Sequence, residues 1–236
     1  MVYGVILAGG IGSRMGTAEK PKQFLLLGQK PLMIHTLEKF VVHPGIDRVI
    51  VLCPAQWIAY TQGLIQKYLP AGCDIPVLEG GATRNLTIMN AISYIEEQGD
   101  LDKDTIIVTH DAVRPFLTSR IISDNISAAK EFGSCDTVIP ASDTIVHSTD
   151  HQFITTIPAR PDMYQGQTPQ SFHALRLREV YESLTEEEKD ILTDACKIMV
   201  IKGEPVRLVM GEVSNIKITF PYDLKVAEAL LADESH

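Results

Sequence analysis

No apolar run in this sequence approaches the roughly 20 residues that a membrane-spanning helix needs, so no such span is expected. Its first residues show no basic segment followed by an apolar stretch and a small-residue cleavage site, and a cytoplasmic location is expected. The four cysteines, Cys53, Cys73, Cys135 and Cys196, form no C-x-x-C pair and have no histidine cluster beside them. That spacing suggests neither a disulfide framework nor a zinc site, and buried free thiols are expected instead. Positive charge is scarce, with 21 Lys and Arg against 30 Asp and Glu and a formal net charge of -9. A chain so charged has no footprint for a nucleic-acid backbone, although a few local cations can still serve a small anion. Also missing are a G-x-S-x-G elbow, a defensible Cys/His pair and the GxxxxGK[ST] spacing of a P-loop.

What is present fits one soluble α/β domain over residues 1–236, because 45% hydrophobic and 22% charged residues can fill a single core of this size. Short apolar runs at 2–7, in "DRVIVLCP", in "IPVLEGG", in "DTIIVTHDAVRP" and in "CDTVIPA" read as strands. Helical spacing separates them at 31–42, 55–68 and 83–97, and from Thr118 or Ser119, either of which can cap the helix, to Phe132. Such alternation implies right-handed crossovers and a mostly parallel sheet with ligands at the carboxyl ends of its strands.

From 143 to 172 the pattern changes to period two around a polar turn at 148–151, which reads as a projecting β-hairpin arm. A hairpin buries little by itself, so a second subunit is its expected partner. Helices at 174–184 and 194–201, the strand "VRLVMG" and a closing helix at 222–232 complete the chain.

The glycines after the first strand, in LAGGIGSRMG, let backbone N–H groups approach an anion, and Arg14 and Lys22 supply charge to aim at a polyphosphate. A tight structural turn and a dinucleotide-binding loop both remain open on the glycines alone. Against the dinucleotide loop, Met15 stands where a third glycine belongs, and the second strand ends in Leu52-Cys53-Pro54 without a ribose-binding acid, so an NAD-dependent oxidoreductase fits poorly. Further on, "EGGATRNLT" offers a strand-to-helix turn with Arg84, which is otherwise an ordinary turn with an exposed arginine. Asp111, at the end of its strand, suits Mg²⁺ or, alternatively, a helix cap. His110 beside it reads as a hydrogen-bonded structural histidine.

The run L-A-G-G-x-G-x-R-M followed by P-K-Q-F resembles nucleotidyltransferases that couple a nucleoside triphosphate to a phosphorylated sugar or polyol. "KPKQF", "EGGATR", "THDAVRPF", "QTPQSF", "TDA" and "NIKIT" narrow the resemblance to the cytidylyltransferases that make CDP-methylerythritol or CDP-ribitol, from Leu7 to Lys217. It implies a Rossmann-like fold, Mg²⁺ as cofactor, CTP and a polyol phosphate as small-molecule partners, and a homodimer joined by the arm. It further implies catalytic roles for Arg14, Lys22, Arg160 and Lys217. CTP contacts are implied for Leu7, Ala8, Gly9, Gly10, Gly80, Gly81, Ala82, Arg84, Thr87, Asp111 and Ala112, with Asp111 also the metal ligand. Ala82 stands where relatives often have Asp. Acceptor contacts are implied for Arg114, Asp143, Thr144, Arg160, Thr168, Thr193 and Lys217, with Arg160 possible in the partner's site. Val113, "YQGQTPQ" and "TDACKIM" depart from the methylerythritol pattern toward the ribitol 5-phosphate branch, whose longer acceptor would use Gln165 and Gln167 as donors. The expected reaction is therefore CTP plus D-ribitol 5-phosphate giving CDP-ribitol and pyrophosphate, for ribitol teichoic acid or a related surface polymer. The alternative is 2-C-methyl-D-erythritol 4-phosphate as acceptor, in isoprenoid synthesis.

Overall fold

Tyr3, Val5 and Ile6 are fully buried in the first strand, β1 (Val2–Leu7), an interior strand of the sheet. The computed structural model describes residues 1–10 and 20–233. After β1, a small hairpin of β2 (Leu26–Leu27) and β3 (Lys30–Pro31) turns at Gly28, whose φ of 59° lies in the left-handed region that glycine tolerates. It leads into α1 (Leu32–Val41), which Pro31 precedes with its φ already fixed near the helical value.

Next come β4 (Arg48–Cys53), α2 (Ile58–Tyr68) after a 3₁₀ turn at Ala55–Trp57, β5 (Val77–Glu79), α3 (Arg84–Glu97) and β6 (Ile106–Asp111). The chain continues through α4 (Ser119–Phe132), β7 (Ser134–Pro140), β8 (Tyr164–His173), α5 (Ala174–Glu182) and α6 (Glu186–Asp190). It closes with α7 (Ala195–Ile201), β9 (Arg207–Met210) and α8 (Pro221–Asp233).

The main sheet has seven strands in the order β5-β4-β1-β6-β8-β7-β9. All its pairings are parallel except the two that β8 makes, antiparallel to β6 and to β7. One face carries Phe40, Leu37 and Ile122 from α1 and α4, and the other carries Ile88, Ile92 and Leu177 from α3 and α5. A Cβ on Gly4 of β1 would stand 2.6 Å from the Phe40 ring, so glycine is what lets α1 seat this closely.

From β1 the chain moves outward to β4 and β5, then returns to β6 on the other side of β1. The carboxyl ends of β1 and β6 therefore form the switch point where open α/β sheets bind ligands. Leu7 and Asp111 face each other there in register.

Two expectations change. The segment read as a hairpin arm at 143–172 has a single bridge, His147 with Thr156, and its returning limb is β8, inserted between β6 and β7. The period-two pattern was real, but it belongs mostly to a strand of the central sheet. Residues 141–163 alone lie outside the regular strands, with the turn closed by Asp150 Oδ1 accepting from the N–H groups of Gln152 and Phe153. At α4, Thr118 occupies the capping position but makes no side-chain cap, because its hydroxyl donates to Glu212 Oε1 at 3.0 Å instead.

Candidate active site

Asp111 ends β6 with its side chain only 11% exposed, and three cations converge on it. Lys217 Nζ is 2.9 Å from Oδ2, Arg114 Nε is 3.7 Å from the same oxygen, and Arg84 Nη2 is 3.6 Å from Oδ1. Burial alone would raise the pKa of this carboxyl, but Arg84, Lys217 and Arg114 together hold it well below the usual carboxylate range. Its neighbour His110 is fully buried, bonded to the Arg114 carbonyl at 3.1 Å and to Thr168 Oγ1 at 2.9 Å. Burial pulls its pKa down to about 4, so the ring stays neutral and structural.

Above Asp111 lies a cavity of about 280 Å³ lined by Leu7, Ala8, Gly9, Gly10, Lys22, Gln23, Gly81, Ala82, Thr83, Arg84, Thr87, Asp111, Ala112, Val113 and Lys217. A second cavity of about 160 Å³ shares Arg84, Asp111 and Lys217 with the first and adds Arg114, Gly166, Gln167, Thr168, Gln170, Thr193 and Asp194. The two hollows thus meet across one carboxylate and two cations. Lys22 of the glycine-loop segment and Asp111 of the central strand open into the same space. Arg14 lies outside the described residues.

Each wall has a local cause. Thr83 caps α3 by accepting from the N–H of Leu86, which starts the helix just as Arg84 turns toward the cavity. A Cβ on Gly81 would sit 2.5 Å from Leu86 Cβ, so only glycine allows the chain to pass this close. Thr87 is committed locally: its Oγ1 accepts from Gly81 N at 3.0 Å and donates to the Thr83 carbonyl at 2.9 Å. Gly80 shapes this turn without lining the cavity. On the other side, Asn215 is fully buried and donates to Gln167 Oε1 and to the Thr168 carbonyl, while its own carbonyl accepts from Arg114 Nη1 at 2.8 Å. These bonds fix the loop that delivers Lys217. Among the described residues, Arg114 Nε is buried with no hydrogen-bond partner, a donor left over beside the second cavity.

Other expected site residues are not brought to these cavities within one chain. Asp143, Thr144 and Arg160 are exposed on the irregular segment after β7, and Arg160 Nη1 reaches the Ser142 carbonyl at 3.3 Å. Thr168 and Thr193 do line the second cavity. Of Gln165 and Gln167, expected as donors to a long acceptor, only Gln167 lines a cavity. Gln165 is exposed and lines neither cavity, while the Gln167 amide is engaged at both ends, by the Glu212 carbonyl and by Asn215.

Besides Asn215, two contributors escaped the sequence reading. Gln23, 1% exposed, donates from Nε2 to the Ala8 carbonyl at 2.6 Å and so fixes the floor of the first cavity. Gln170, 3% exposed, accepts from Arg84 Nη1 at 3.0 Å. Neither glutamine carries a local signal, because their partners lie elsewhere in the chain.

A family model described as "IspD: 2-C-methyl-D-erythritol 4-phosphate cytidylyltransferase" matches residues 2–233. The chain belongs to the IspD family. It is thus a cytidylyltransferase by family, which excludes the oxidoreductase reading of its glycines. Solved IspD-like structures agree in fold. A 4-diphosphocytidyl-2C-methyl-D-erythritol synthase from Anaerococcus prevotii is 26% identical, with a TM-score of 0.79 over 98% of this chain and 96% of that one. The 2-C-methyl-D-erythritol 4-phosphate cytidylyltransferase of Francisella tularensis is 26% identical, with a TM-score of 0.79 over 97% and 98% of the two chains. That of Thermus thermophilus is 27% identical, with a TM-score of 0.72 over 97% and 98%. Among the described residues no helix is long and apolar enough to cross a membrane.

Proposed function

We propose that the protein transfers the CMP unit of CTP to the phosphate of a polyol phosphate, releasing pyrophosphate. The convergence of Lys217, Arg84 and Arg114 on Asp111, between two joined cavities, carries this reading. In the reaction a phosphate oxygen of the acceptor bonds to the α-phosphorus of CTP. The bond to the β-phosphate bridging oxygen breaks, and its electron pair leaves with pyrophosphate. Negative charge builds on the phosphoryl oxygens, so fixed cations lower the barrier by position and electrostatics, without a side-chain nucleophile.

The first cavity, with its glycine backbone, Lys22 and Arg84, is the nucleotide side. The second, with Arg114 and Thr193, is the acceptor side, and Lys217 stands between the two anions. Arg14 is proposed to join Lys22 on the triphosphate. Arg160, Asp143 and Thr144 are proposed to act across a twofold dimer, reaching the partner's acceptor site from the segment after β7. Exposed Val146, Phe153, Ile154 and Ile157 on that segment support a subunit contact.

Magnesium is proposed as the cofactor. Among the described residues no group of three or more metal-binding side chains occurs, so the protein would supply Asp111 and the phosphates would supply further oxygens. That donor set fits Mg²⁺, which commonly binds one or two carboxylates together with substrate phosphates. When bound, the ion would neutralise phosphate charge. Lys217, at 2.9 Å from Asp111, gives way to phosphate as the site fills.

For the acceptor, the family description and the names of the relatives support 2-C-methyl-D-erythritol 4-phosphate. A second reading, D-ribitol 5-phosphate, is favoured by one observation. Among the described residues, the second cavity is walled by charged and polar side chains and Gly166, with no apolar side chain to receive a methyl branch. The sequence departures at Val113, "YQGQTPQ" and "TDACKIM" point the same way. Pyrophosphate release with CTP, Mg²⁺ and each acceptor in parallel tests both, and the acceptor with the higher kcat/KM is the substrate.

A further inference from the structure

Behind the wall of the second cavity, β7 and β8 pair Asp136 with Gln170 in register. Gln170 Nε2 donates to Asp136 Oδ1 at 3.1 Å, and Gln170 Oε1 accepts from Arg84 Nη1 at 3.0 Å. Arg84 in turn lines both cavities and faces Asp111. Asp136 itself lines neither cavity. It reaches the site by hydrogen bond through Gln170 and by charge through Arg84 and Arg114.

A primary amide has a donor end and an acceptor end, and it can sit either way round. Guanidinium only donates, so Arg84 needs the oxygen end. A carboxylate only accepts, so ionised Asp136 needs the nitrogen end. The two demands agree, and the buried Gln170 has one favourable orientation. A protonated Asp136 can donate instead, which permits the reversed amide and sets its NH₂ against the donors of Arg84.

We propose that Asp136 is a positioning residue: its charge fixes the orientation of Gln170, and Gln170 thereby holds Arg84 over the joined cavities. Burial raises the pKa of Asp136 to about 6, opposed by the Gln170 hydrogen bond, reinforced by Asp194 before α7, and opposed again by Arg84 and Arg114. The thiols of Cys135 and Cys196 face it as neutral groups, their own pKa values raised by burial, and the residue paired with it on β9 is Leu208. Above about pH 6 Arg84 therefore has the Gln170 oxygen as a fixed acceptor, and below it that acceptor is no longer fixed while the ion pair with Asp111 remains.

The consequence for CTP rests on the proposed nucleotide site, but the first test does not. In ligand-free protein, the side-chain amide NMR resonance of Gln170 should move with a midpoint near pH 6. In Asp136→Asn it should stay fixed through that interval. A Gln170 resonance that does not titrate in the wild type overturns the proposal, whether or not the variant folds. In calorimetry with CTP, the ratio of wild-type to Asp136→Asn affinity should rise about three- to tenfold from pH 5 to pH 7.5, the worth of one hydrogen bond. The titration of the nucleotide itself cancels in that ratio. A constant ratio contradicts the coupling to Arg84, whereas a titrating Gln170 in a protein that binds no CTP counts against the nucleotide site alone.

Discussion

Lys217 Nζ lies 2.9 Å from Asp111 Oδ2, a contact between a loop near the end of the chain and the central strand of the sheet. Asp111 also faces Arg84 and Arg114, so one carboxylate balances three cations. Such a site has surplus positive charge waiting for phosphate.

Replacing Asp111 by Asn should therefore harm stability as well as turnover. Without its charge, Arg114, whose side chain is 10% exposed, is left buried without its ion-pair partner, a loss of about 3 kcal/mol in urea unfolding. Because the folded pKa of Asp111 is depressed, its stabilisation is present above the ordinary carboxylate range and is lost as pH falls below it. The gap between wild type and variant should accordingly shrink in strong acid. A variant as stable as the wild type at pH 7 would contradict the balance described.

Lys22→Ala and Lys217→Ala should behave differently from Asp111→Asn. Each removes a cation from a cavity wall, and after Lys217→Ala the buried Asp111 still faces Arg84 and Arg114. Turnover should fall about 10²- to 10³-fold, as for loss of one preorganised transition-state donor. The midpoint of thermal unfolding should hardly move. Near-normal kinetics in either variant would remove that lysine from the mechanism.

Much of the fold was legible because several of its parallel strands are short, largely apolar runs ended by glycine, proline or acid. Val2–Leu7 and Ile106–Asp111 announce themselves in this way. β8 did not, since YQGQTPQSFH is mostly polar yet enters the centre of the sheet. It does so because distant partners satisfy its side chains: Ser171 donates to Asn125 Oδ1 at 3.1 Å, and Gln170 bonds to Asp136 and Arg84. No local spacing reveals such pairings. For the same reason Lys22 and Asp111 could be picked out from strand ends and glycines, while Gln23, Gln170 and Asn215 required coordinates.

Trp57 offers a reporter, since the sequence contains one tryptophan. Its ring centroid is 5.2 Å from that of Phe24, two residues after Lys22, and 5.7 Å from that of Tyr60. CTP drawing on Lys22 should alter Trp57 emission with a saturable dependence on nucleotide. An emission spectrum indifferent to CTP, in protein shown by calorimetry to bind it, would mean that this aromatic cluster is uncoupled from the site.

The proposed dimer predicts complementation. Subunits carrying Arg160→Ala and subunits carrying Lys22→Ala should each be nearly inactive, and mixing them should restore part of the activity through hybrid sites. No recovery after verified subunit exchange would mean that each site is built within one chain.

The most direct measurement is pyrophosphate release by the purified protein with Mg²⁺, CTP and either 2-C-methyl-D-erythritol 4-phosphate or D-ribitol 5-phosphate. Release that needs both CTP and one of these acceptors, and that Lys217→Ala cuts to a small residue, is the predicted result. A folded protein that binds CTP yet releases no pyrophosphate with either polyol phosphate would contradict the account.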